Sequence, residues 1–109
     1  MIIKVFNKVE EIEKYYDKKL STYIFYEDED LIDLVIFNFN LNVAANIIAK
    51  DIKALNINAW NIDACDISYW AVCFAYNSIK CKSITSKREN HKHFVLDGKL
   101  EVEEDEKED

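Results

Sequence analysis

The stretch from Asn46 to Trp70 reads NIIAK-DIKAL-NINAW-NIDAC-DISYW, five copies of one five-residue unit with no break between them. Isoleucine stands at Ile47, Ile52, Ile57, Ile62 and Ile67, each preceded by Asn or Asp and followed two residues later by Ala49, Ala54, Ala59, Ala64 or Tyr69. On an α-helix a five-residue step advances each Ile by roughly 140°, which scatters the apolar residues around the whole circumference. On a flat strand the odd step sends successive Ile residues to opposite sides. A chain that turns a corner once per pentad keeps every Ile inward. The spacing therefore predicts a mainly β fold, a short right-handed parallel β-solenoid. With about five residues per side and three or four sides, residues 41–87 give two to three coils, too few to stand without caps.

Upstream of the repeat, Ile2 to Phe6 reads as a strand. Asn7 with Glu10 has the form of a helix N-cap and its capping-box partner, starting a helix that reaches about Lys19 with Val9, Ile12 and Tyr16 on one face. Thr22 to Tyr26 and Leu31 to Val43 read as strands around the turn Glu27-Asp28-Glu29-Asp30, and the second alternates strongly. Residues 1–40 thus form a strand, helix and hairpin cap over one end of the solenoid. Downstream, Val72 takes the next Ile slot, Cys73 to Asn77 break the phase, and Ile79 and Ile84 resume it. A two-residue insertion there implies a bulge or a widened corner. Residues 88–102 read as a C-terminal hairpin around Asp97-Gly98, and residues 103–109 as an acidic tail of the same single domain.

The order of segments resembles a known family. DIxAx repeats, then ISYWAVCFAY, then IKCKSI, then RENHKHFVLDG, are similar to small bacterial and phage proteins with pentapeptide-like repeats, of the kind labelled polymer-forming. The likeness covers roughly residues 44–100. It implies a solenoid and carries no activity. True pentapeptide-repeat proteins place a small residue two positions before the central apolar one, whereas here Ala follows Ile by two. Their four-sided coil does not transfer, and a three-sided coil stays open.

Composition bounds the function. The chain has 109 residues, three cysteines, no proline and one glycine, so Asn and Asp must supply most corners. An odd cysteine count and the absence of a long apolar run or a signal-peptide pattern point to a reduced, soluble, cytoplasmic protein with no membrane span. Its richness in Ile, Lys and Asn accords with an AT-rich bacterial or phage genome. The net charge of −7 divides unevenly: about −4 in residues 1–40, about −1 in 41–77, about +4 in 78–100 and about −6 in 101–109. The acidity belongs to the two ends, and the repeat is nearly neutral.

Four sets of residues are candidates for function. Cys65, Cys73 and Cys81, with His91 and His93, lack the tight spacing of a zinc site and any orienting third residue for a nucleophile, so they read as packing, with Cys81 inward. Lys87, Arg88 and Lys92 are candidates for anion contact; their other reading is a solvated basic edge. Large apolar residues in the slots after Ala, Leu55, Trp60 and Trp70, together with Tyr69 in an Ala slot and Tyr76, are candidates for contact with a partner, unless the N-terminal helix covers them. Acidic contact candidates are Glu27, Asp28, Glu29, Asp30, Glu103, Glu104 and Asp105.

The expectation is a non-catalytic protein-interaction module, self-association into a homodimer being one form of it, with no enzyme activity and no cofactor. The alternative is a phage or mobile-element inhibitor of a host nucleic-acid enzyme, of the anti-defence or anti-CRISPR type, acting through an acidic or DNA-mimicking surface. Direct nucleic-acid binding is not expected, because no alternating basic and aromatic pattern is present.

Overall fold

The five-residue period resolves into a triangular coil. In the computed structural model, which describes residues 1–86 and 88–102, Ile52 pairs in parallel with Ile67, and Ile47 with Ile62. Each partner lies fifteen residues on, so three pentads complete one turn and the coil has three sides.

The elements in chain order are β1 (Ile3–Phe6), a 3-10 helix (Val9–Tyr15), β2 (Tyr16–Asp17), β3 (Thr22–Ile24), β4 (Tyr26–Glu27), β5 (Asp30–Leu31), β6 (Leu34–Phe37), β7 (Leu41–Asn42), β8 (Asn46–Ile48), β9 (Asp51–Lys53), β10 (Asn56–Asp63), β11 (Asp66–Tyr69), β12 (Val72–Cys81), β13 (Ser83–Ser86), β14 (Lys92–Val95) and β15 (Lys99–Val102). Face one stacks β1, β6, β9, β11 and β13. Face two stacks β7, the first half of β10, the first half of β12, and β14. Face three stacks β3, β8, the second halves of β10 and β12, and β15. All these pairings are parallel.

From Leu34 to Val102 the chain visits the faces in that order, about four turns in all. The expected two to three coils were too few for a physical reason. Residues 88–102 do not form a hairpin: β14 and β15 run parallel to β12 on adjacent faces and add a turn. Gly98 sits at the corner between them, where a Cβ would stand 1.7 Å from the Asn77 carbonyl oxygen. Glycine is required there by close approach, not by a hairpin turn.

Within each pentad the Ile and Ala side chains alternate inward across one strand, and the corner residue follows. Ile47, Ile52, Ile57, Ile62, Ile67 and Ile79 stack as a fully buried core. The Asn or Asp before each Ile points outward, and most stack on another small polar residue of the next turn. Asn56 Nδ2 donates to Asn40 Oδ1 at 2.8 Å, Asn61 Nδ2 to Asn46 Oδ1 at 2.8 Å, and Ser78 Oγ to Asn61 Oδ1 at 2.7 Å. In-register parallel stacking makes such amide ladders favourable, which accounts for the residue choice before Ile.

The phase break splits into two corners of one extra residue each. Trp70-Ala71 replaces the single Leu55, and both N–H groups donate to the Leu55 carbonyl. Tyr76-Asn77 replaces the single Trp60, with the register slip between Ala59 and Asn61. Cys73, not Val72, therefore fills the Ile slot: Cys73 pairs with Ile57 and is buried, whereas Val72 pairs with Asn56 and is exposed.

The N-terminal end is closed. Phe6, Phe25 and Phe37 pack with ring centroids 5.4–6.1 Å apart, and Tyr15 packs on Phe6 and Phe25. The helix above them is a 3-10 helix, which brings residues three apart onto one side, so Ile12 and Tyr15 are buried together; Tyr16 falls off that side and is exposed, as is Val9 at the start of the helix. Its capping differs from the expected box: the Asn7 N–H donates to Glu11 Oε1 at 2.7 Å. β2 pairs antiparallel with β3 and covers that edge of face three. On face one, β1 places Lys4 opposite Val35, in an inward slot, where its Nζ meets Glu27 Oε1 at 3.3 Å.

Candidate functional site

Face two and its two corners gather the exposed large apolar residues of the repeat. At the corner leading into it, Leu55 and Trp70 stack, with the Trp70 N–H donating to the Leu55 carbonyl at 2.9 Å, and Trp70 is 50% exposed. At the corner leading out, Trp60 and Tyr76 occupy successive turns and both are exposed. Between these corners Phe74 pairs with Phe94 across the strands, and their rings lie 4.6 Å apart; Tyr76 lies 5.0 Å from Phe74. Lys92 Nζ sits 5.1 Å above the Phe94 ring. Toward the N-terminal end the same face turns polar, through Asn40, Asn42, Asn56 and Asn58.

Four of the five contact candidates thus belong to one surface. The fifth does not: Tyr69 is 2% exposed and points into the core, above Ser86 and against His93. It follows Ile67 by two and obeys the inward rule of the Ala slot, with a larger side chain than Ala. The 3-10 helix leaves Trp60 and Trp70 uncovered, because it packs on β1 and β3 at the far end. Phe74, Phe94 and Leu96, exposed or half-buried, were not among the sequence candidates. The signal was the slot rule itself, which puts Phe74 and Phe94 outward once Cys73 is given the Ile slot.

The other candidates do not converge. Glu27 and Asp30 pair across the β4–β5 hairpin, and Asp28 and Glu29 form its turn with φ of 53° and 74°. That hairpin is at the capped end. On the coil, Asp51 pairs with Asp66 on face one; burial, reinforced by the Asp66 charge, holds the Asp51 carboxyl above its usual range. Arg88 anchors a bend, its N–H donating to Ser86 Oγ at 3.2 Å and its carbonyl accepting from His91 Nδ1 at 2.6 Å. Lys87, Glu103, Glu104 and Asp105 lie outside the described residues.

The two buried thiols are poorly suited to chemistry. Burial pushes Cys73 up to about 12, with Cys81 adding to it, and Cys81 up to about 11. Cys73 pairs in register with His93, yet a thiol held that high supplies no thiolate near neutrality. Among the described residues no group of three or more His, Cys, Asp or Glu side chains converges as a metal site, and no helix is long and apolar enough to cross a membrane.

No family model, curated protein or solved structure matches the chain.

Proposed function

We propose that this protein is a non-catalytic interaction module that binds another protein through face two of its solenoid. The observation that carries the reading is the placement of Leu55, Trp60, Trp70, Phe74, Tyr76 and Phe94 on one side of the triangle. Aromatic residues with few charges among them are the composition of the central part of protein–protein interfaces. Of the strands beneath, β10 and β12 are hydrogen-bonded on both sides, so Trp60, Phe74 and Tyr76 are presented on a rigid support. That lowers the ordering cost of binding.

The test compares capture of proteins from the source cell by the native chain and by a Trp60→Ser, Tyr76→Ser, Phe94→Ser variant. These positions point outward, so the variant should keep the native circular dichroism spectrum. A partner held in raised salt by the native chain, and bound at least about tenfold more weakly by the variant, supports the reading. A partner held equally by both, and released by salt, overturns it in favour of the acidic residues.

A further inference from the structure

The two ends of the solenoid are finished differently. At the N-terminal end the core is plugged by Phe6, Phe25 and Phe37, β3 is covered by β2, and the inward slot of β1 holds the charged Lys4. Inward charge, covered edges and short antiparallel strands are the devices by which sheets avoid pairing with other chains. Among the described residues the C-terminal end has none of them. β13, β14 and β15 each have a neighbour on one side only. Their inward slots hold Ile84, Ser86, His93, Val95, Leu100 and Val102, with no Lys, Arg, Asp or Glu. Leu100 and Val102 are 37% and 40% exposed, whereas Ile79 and Cys81, one turn earlier on the same face, are 0% and 2%. Among the described residues the core therefore ends with these slots uncovered.

The shape of the end selects its occupant. The last turn presents three strands of four residues each on the three sides of a triangle, and a single added strand would cover only one side. A second triangular coil covers all three. The chain climbs as it goes round, so β13, β14 and β15 lie at successively higher levels. A two-fold axis lying just beyond the free edge of the middle strand, at right angles to the solenoid, compensates this climb, because it sets β14 against β14 of the second copy and β13 against β15. Offset by one residue, both matches bring three residues against three, run antiparallel, and keep inward residues opposite inward residues. Ile84 then meets Leu100 or Val102, and His93 meets Val95, within one continuous core. Three such pairings make roughly six to twelve backbone hydrogen bonds, comparable with the roughly ten of an ordinary protein interface.

We propose that the protein forms a closed two-fold dimer by stacking the C-terminal turns of two copies, β14 on β14 and β13 on β15. The interface is isologous and consumes both open ends. It uses the backbone edges of the last turn and not the outward side chains of face two, so it stands or falls separately from the reading above.

The test uses the full chain carrying Cys65→Ser, which removes the half-exposed thiol. Light scattering between about 1 and 100 μM should show twice the chain mass at the upper concentrations, as for an ordinary two-fold interface. Outward-facing thiols are then placed on the two strands expected to meet, Thr85→Cys in one preparation and Lys99→Cys or Glu101→Cys in another. Disulfide-linked dimers should form on mixing a β13 variant with a β15 variant and be at least tenfold less abundant with either variant alone, since disulfides need Cα atoms within about 7 Å. A strictly monomeric mass across that range overturns the proposal. So does mass that grows without limit, which would mean head-to-tail stacking, or a dimer in which neither mixture cross-links above the single variants.

Discussion

Tyr69 Oη and His93 Nδ1 lie 2.7 Å apart inside the last two turns, joining face one to face two through a side-chain hydrogen bond in an otherwise apolar interior. His91 stands close by, its ring centroid 6.0 Å from that of Tyr69. Burial holds the His93 imidazole below its ordinary value, and the neighbouring His91 adds to the effect. A histidine disfavoured as a cation in the folded state contributes stability that is full above the unfolded value of about 6.5 and is lost as the pH falls through the lower folded value. The urea midpoint should therefore drop between pH 7.5 and pH 5, and drop less in His93→Asn. Tyr69→Phe should cost about 1 kcal/mol at neutral pH, the net worth of one such bond.

Gly98→Ala should loosen the terminal turn. The added methyl meets the backbone of Asn77, which cannot rotate away as a side chain would. A cost of about 1–3 kcal/mol is expected from overpacking, and amide exchange should quicken in residues 99–102 first. Protection of residues 57–67 should be unchanged.

Asp51→Asn should stabilise the protein. The Asp51 carboxyl is held high by burial and by the stacked Asp66, so its charge opposes folding. That penalty is present above the folded value and disappears as the pH falls and the carboxyl takes up its proton. An amide would instead join the kind of ladder seen at Asn56 and Asn61. A gain of about 0.5 kcal/mol is expected near pH 7 from removing one like-charge pair, shrinking toward pH 4 in parallel denaturation curves.

Neighbouring positions in the repeat should differ sharply. Ile62 is buried between Ile47 and Ile79, and truncation to Ala should cost about 2–5 kcal/mol. Trp60, two residues before it, is a corner residue outside the core and 39% exposed, and Trp60→Ser should cost no more than about 1 kcal/mol in the same chemical-denaturation experiment.

Thiol labelling should follow the slots. Iodoacetamide at pH 8 should modify Cys65, which is half-exposed at a corner, and spare Cys73 and Cys81 until denaturant is added. Peptide mass spectrometry separates the three sites.

The coil was legible in the sequence because Ile and Ala mark inward positions by volume and hydrophobicity alone, and five such marks in a row exclude a helix and a flat strand. Its three sides were left open because the period fixes the length of a side and not the angle at the corner. The register after Trp70 was misread because a corner can widen by one residue without changing the strands it joins. Val72 looks more like Ile than Cys73 does, and choosing it hid the outward position of Phe74. The terminal hairpin failed for a related reason: Asp-Gly marks a tight bend, and parallel coils also need tight bends. Tyr69 looked like a surface aromatic among Ala residues, although slot position outweighed size. At the other end, strand alternation is satisfied with Lys4 inward and Ile3 and Val5 outward, the reverse of what hydrophobicity suggests.

The inward Lys4 of β1 gives the molecule a chemistry of ends. A solenoid whose two ends were both open would be a bifunctional unit, able to add copies at either side and propagate into fibres. With the dimer proposed above, Lys4, held by Glu27 over an aromatic stopper, would make this one monofunctional, a unit that couples once and terminates. Replacing that single lysine by an aliphatic residue is the change by which this small coil comes nearest to an open-ended polymer.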